Sequence, residues 1–282
     1  MEESNQGMTF WDHLEDLRWT LIRSIAALFI FMILGFIAMP YIYDSIIMGP
    51  TNANFFLYQY LCKATSAIPF LPDFCDDTFR VEIININLTS QFFRHMTTSF
   101  WLALILTFPY LVFEVWKFIR PALYEEEKKS IRWVFMFGTI MFFIGCAVGY
   151  SLVFPITFRF LATYQLSETI VNQISLDSYM DNFLMLIFIM GVVFELPLLS
   201  WLLSQFGLLN KSFFKRFRRH AIVVLLVLAA FITPSGDPFT LSVVFIPLYC
   251  LYELSAFFVK PAPKEEEEDE EEEESQHALI EE

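Results

Sequence analysis

A chain of 282 residues that is 56% hydrophobic, with 34 Phe, lies above the apolar share of about 45–50% typical of soluble domains, which excludes a soluble globular protein. The net charge of −14 describes one end only: residues 261–282 hold 12 acids and one base, so the first 260 carry 20 acids and 17 bases, a net of −3. No nucleophile motif, phosphate-binding glycine loop or metal-spaced set of His, Cys and carboxylates is present, so no enzyme activity, catalytic residue, metal or cofactor is expected.

Residues 1–18 are polar and amphipathic rather than a basic stretch followed by a short apolar core, so no secretory signal is read there. Within them, "TFWDHLEDLRWTL" (9–21) spaces Phe10, Leu14, Leu17 and Leu21 as one helical stripe. Asp12 and Asp16 share another face, with Glu15 and Arg18 beside them, and Thr9 ahead of Asp12 fits a helix start. Two readings stand side by side. One is an N-terminal amphipathic helix at the interface with solvated charges. The other is an acidic surface awaiting a basic ligand.

Six charge-poor segments follow, predicting an all-α integral membrane protein with six transmembrane helices. The first, Trp19–Met39, is interrupted only by Arg23. The loop 40–94 is the longest and holds Cys62 and Cys75; on the outer side of a bacterial inner membrane these form either a disulfide or two free thiols. The second segment is His95–Phe113 and the third Trp133–Phe158. Between them, in "EVWKFIRPALYEEEKK" (114–129), Pro121 breaks the helical pattern ahead of Glu125, Glu126 and Glu127. Those acids either pair with Lys128, Lys129 and Arg132 or accept a guanidinium, whose planar fork binds a carboxylate through two hydrogen bonds.

The fourth segment, Asn182–Leu209, carries one charge, Glu195. An ionisable group at membrane depth is costly and marks function by default. On an ideal helix its neighbours are Gly191, Val192, Leu198 and Leu199, none polar, so its partner is not local. The carboxyl is protonated, faces a water-filled hollow, or meets a group from another span or chain. The fifth segment, Ala221–Thr233, covers only about 20 Å of a hydrocarbon core of about 30 Å. The sixth is Pro238–Val259, and the fold is expected to have short fifth and sixth spans. Pro109, Pro155, Pro197 and Pro247 lie inside apolar segments and predict kinked spans, which suit a concave, receptor-like bundle. Glu114 and Glu253, near segment ends, read as solvated at the interface, and Cys146 and Cys250 as small packing residues.

Fourteen of the 18 bases fall on one side, which by the positive-inside rule places both termini in the cytoplasm. The run "KSFFKRFRRH" (211–220) flanks apolar spans, so it reads as a topological anchor and no nucleic-acid partner is expected. The chain divides into a six-span membrane domain, 1–260, with 40–94 as a periplasmic loop, and a disordered acidic tail, 261–282.

"HLEDLR" (13–18), "VWKFIRPALYEEE" (115–127), "FELP" (194–197) and "TPSGDP" (233–238) resemble, in order, the signatures of the TatC family. TatC is the multispanning receptor subunit of the twin-arginine protein translocase. The resemblance implies binding of twin-arginine signal peptides of folded precursor proteins at the cytoplasmic face. It also implies small single-span TatA and TatB partners, other copies of the chain, membrane lipid, and use of the proton-motive force. Matching the motifs puts signal-peptide binding on Asp16, Glu127, Glu15, Arg18 and Phe118, and outer-face roles on Pro50 and Asp237. The competing reading is a proton-coupled small-solute transporter with Glu195 as proton site, although no internal repeat accompanies it.

Overall fold

The computed structural model describes residues 10–65, 79–119, 125–167, 169, 172–205, 207–233 and 236–259; side chains at 10, 12, 63–65, 119 and 125–133 lie outside that description. The described chain is almost wholly helical: α1 (Phe10–Ile42), α2 (Phe56–Thr65), α3 (Ser90–Ile119), α4 (Glu125–Val148), α5 (Phe154–Thr163), α6 (Leu176–Val193), α7 (Leu196–Gln205), α8 (Lys211–Arg216), α9 (Arg218–Ile232) and α10 (Pro238–Phe258). One parallel strand pair, β1 (Ile83–Ile84) with β2 (Ile174–Ser175), matches Ile83 to Ile174 and Ile84 to Ser175.

Among the described residues, five stretches are long and apolar enough to cross a membrane: His13–Thr51, Ser90–Phe118, Val134–Thr163, Leu176–Gln205 and Pro238–Phe258. The segment expected as a fifth span is α9, whose 15 residues cover about 22 Å, short of a bilayer core. At 21 residues α10 is shorter than the spans before it, yet long enough to cross, so only one of the two short spans falls below bilayer length. The expected N-terminal amphipathic helix is not a separate element. Helix α1 runs unbroken from Phe10, so Leu14, Leu17 and Leu21, all exposed within this chain, are its first turns.

Helix breaks follow local chemistry. Pro197 has no N–H to return to Val193, and the helix opens just before it: Phe194 N bonds Met190 O at 3.1 Å, and Glu195 N reaches only to Val192 O, at 3.1 Å. Pro155 follows a π-helical turn, Gly149–Val153, that separates α4 from α5. Pro109 and Pro247 lie inside helices that continue through them, so two of the four prolines coincide with interruptions.

Small residues set how closely the spans approach. A Cβ on Gly145 of α4 would sit 2.6 Å from Met190 O and 2.8 Å from Phe194 Cβ, so any side chain there would push α6 away. Gly191 of α6 meets Cys146 Sγ at 2.6 Å by the same measure. Cys146 is buried there and free, as a packing residue would be, whereas Cys250 is free but exposed on α10.

At the end of the bundle where α1 finishes, three tyrosines seal a second π-helical turn, Tyr43–Ile47, and the turn after it. The Tyr150 hydroxyl donates to Ile46 O at 3.0 Å, that of Tyr179 to Ile47 O, and that of Tyr58 to Pro50 O at 2.8 Å. The Arg159 guanidinium lies between the Tyr58 and Phe79 rings, 4.7 and 4.5 Å from their centroids, and the residue is fully buried. Nearby, Arg94 on α3 bonds Asp177 Oδ1 at 2.7 Å and pairs with Asp181, both on α6, pinning the two helices together.

Candidate functional site

Helices α1 and α3 lie antiparallel along their whole length, and this pairing builds the site. At one end the His13 and Phe118 rings stack with centroids 4.3 Å apart. Further in, Arg23 meets Glu114; beyond that, Gly35 lies against Ser99 and the Phe36 and His95 rings stack at 3.8 Å. Two motifs a hundred residues apart are thus brought face to face. Glu15, Asp16 and Arg18 follow His13 within two turns of the same helix, and all three are exposed to solvent or an incoming ligand. Phe118 is half-buried beneath them. Glu127 is the third residue of α4, the helix that begins shortly after α3 ends, and its side chain lies outside the description.

Glu114 overturns its expected role. It is 3% exposed rather than solvated at an interface. Its carboxylate accepts from Arg23 Nε at 3.2 and 3.1 Å and from the Tyr110 hydroxyl at 2.9 Å. Glu253 is likewise engaged: its Oε2 lies 2.6 Å from an Arg218 guanidinium nitrogen and ties α10 to α9. The signal for the Arg23–Glu114 pair was in the chain. Each charge is isolated beside an apolar run, the two have opposite sign, and antiparallel spans bring them to one depth. Only the pairing of the first two spans was lacking.

Glu195 sits in the two-residue break between α6 and α7, so the helical neighbours expected for it do not apply. Its Oε2 faces Gly138 of α4, where a Cβ would come within 2.9 Å, and among the described residues its buried Oε1 has no hydrogen-bond partner. Gly138 lies 13 residues into α4, about 20 Å from that helix's start, which puts the carboxyl deep within the bundle. No cationic side chain among the described residues pairs with it.

The outer-face candidates occupy structural positions. Pro50 is buried in a 3₁₀ turn, Gly49–Thr51, with its carbonyl held by Tyr58. Asp237 caps α10, accepting from Thr240 N at 2.8 Å and from the Thr240 hydroxyl at 2.6 Å. Cys62 is disulfide-bonded, and Cys75, its expected partner, lies outside the described residues, as does the tail 261–282.

A family model described as "Sec-independent protein translocase protein (TatC)" matches residues 12–247. The chain is 35% identical over 258 residues to the Sec-independent protein translocase protein TatC of Blattabacterium sp. subsp. Periplaneta americana, covering 91% of this chain and 97% of that one. It is 31% identical over 262 residues to the protein of the same name from Deinococcus radiodurans, covering 90% and 88%. Among solved structures it is similar to the twin arginine translocase receptor TatC, with a TM-score of 0.68, 28% identity, and coverage of 87% of this chain and 97% of that one.

Proposed function

The chain belongs to the TatC family, and from that premise we propose that it is the receptor subunit of a twin-arginine translocase in a bacterial inner membrane, with both termini cytoplasmic. The end of the bundle carrying His13, Asp16 and Phe118 is then the cytoplasmic face, where the twin-arginine signal peptide of a folded precursor binds. The observation that supports this most is the His13–Phe118 stack, which sets the acid-bearing first turns of α1 beside the C-terminal end of α3. A ligand with adjacent arginines points its two side chains apart, so carboxylates on two elements, Asp16 and Glu127, suit it better than one cluster. Glu15 and Arg18 flank the first acid and Phe118 offers a ring on which a guanidinium can lie.

Export is a task of moving folded cargo, not of bond chemistry, and the chain acts in it without a cofactor. Its partners are single-span subunits of the TatA and TatB kind, further copies of itself and the surrounding lipid, with the proton-motive force as energy source. The Cys62–Cys75 disulfide belongs to the periplasmic loop, and the acidic tail serves as a solvated extension. The small-solute transporter reading is not supported by relatives that share the chain's length and carry a translocase name.

Purified protein titrated with a fluorescent twin-arginine signal peptide should lose about tenfold or more in affinity when the two arginines become lysines, since lysine cannot supply the paired donors. Equal affinity for the two peptides would remove the receptor assignment.

A further inference from the structure

Resting on that arginine-binding reading, we infer that the Arg23–Glu114 ion pair is a positioning device for the site, setting the register of α1 against α3. The pair lies directly beneath the recognition surface on both helices. On α3, Glu114 precedes Phe118 by four residues, one turn along the same face. On α1, Arg23 follows Asp16 by seven residues, two turns along the same stripe. A shift at the pair is therefore carried rigidly to both recognition residues.

The neighbouring aromatic contact fixes the register less firmly. The His13–Phe118 stack is a flat ring contact that tolerates sliding in the ring plane. A carboxylate held by three donors is directional. Glu114 accepts from Arg23 Nε, from a second Arg23 nitrogen 3.0 Å from Oε2, and from Tyr110 one turn before it on its own helix. Arg23 in turn has a guanidinium nitrogen 3.4 Å from Thr20 Oγ1, which steadies its side chain along α1. Glu114 is nine-tenths buried or more, so losing Arg23 would leave an uncompensated charge to be relieved by protonation, water or helix movement. Telling arginine from lysine depends on a fork meeting carboxylates at defined spacing. A helix shifted by a fraction of a turn loses that discrimination before it loses general attraction for positive charge.

The test uses the full-length purified protein with a synthetic twin-arginine signal peptide and its twin-lysine counterpart. In Arg23→Gln and Glu114→Gln, the arginine peptide is expected to bind about tenfold more weakly while the lysine peptide is unchanged. Arg23→Lys, which keeps the charge at the pair, should stay within about threefold of the parent. The ratio of the two affinities is read on the monodisperse fraction, so a merely structural loss of folded protein does not move it. Full discrimination in Arg23→Gln and Glu114→Gln, with loss in Asp16→Ala, overturns the positioning role alone. Full discrimination in all three overturns the arginine site as well.

Discussion

Asp16→Ala and Glu127→Ala each weaken binding of a twin-arginine signal peptide by about 30-fold, as expected when one carboxylate of a charge-paired hydrogen bond is removed from an interface. The folded protein should hardly notice the first change. Asp16 is exposed on α1 and has no bonding partner among the described residues, and Ala is a better helix former. Membrane insertion and thermal stability in detergent therefore stay at the parent level while affinity falls. Asp16→Glu, which keeps the charge, should retain most of the affinity. Salt should weaken the parent's binding more than the variant's, because the lost interaction is the one that salt screens. Isothermal titration at two ionic strengths measures both effects. Parent-level affinity in both alanine variants would mean that the arginine site lies elsewhere.

Glu195→Ala has the opposite profile. Arginine-peptide affinity should stay within about twofold of the parent, because Glu195 lies deep in the bundle against Gly138, removed from the His13–Phe118 end. Export of a twin-arginine precursor in cells should nevertheless fall to background. Among the described residues one carboxylate oxygen of Glu195 is buried without a hydrogen-bond partner, which costs stability, and we propose that it serves a task after recognition, such as docking a single-span subunit. Removing it should leave the unfolding temperature equal to the parent's or higher, since a desolvation cost disappears. Glu195→Gln separates charge from size: it keeps the volume and the polarity but cannot ionise. Normal export in both variants, or loss of peptide binding equal to that in Asp16→Ala, would contradict this division of labour.

The sequence carried the class of fold and most of the spans, because bilayer-length apolar runs are read by composition alone. It carried the break at Pro197 for the same kind of reason: a missing N–H is a local fact. What it did not carry was anything fixed by which helix meets which. Glu114 looked like an interfacial acid until α3 lay against α1 and brought Arg23 to it. Arg94 gave no sign of its partners until α6 supplied Asp177 and Asp181. The enclosure of Arg159 by two aromatic rings from a distant part of the chain is likewise fixed only by packing. The π-helical turns at 43–47 and 149–153 have no sequence sign at all; they face each other through the Tyr150 hydroxyl and Ile46 carbonyl, a contact between separate spans. The recognition motifs themselves were legible one by one, and the structure joins the first of them to Phe118 by a ring stack.

The most direct measurement installs a photoreactive amino acid in place of Leu14, exposed in the same helical turn as Asp16, and in a second variant in place of Leu166, exposed beyond α5 at the opposite end of the bundle. Inverted inner-membrane vesicles carrying each variant are irradiated with a radiolabelled twin-arginine precursor or its twin-lysine form. The account predicts a crosslink from position 14 to the arginine precursor, none to the lysine form, and none from position 166 to either. Crosslinking from position 14 that is equal for both precursors, or confined to position 166, would contradict it.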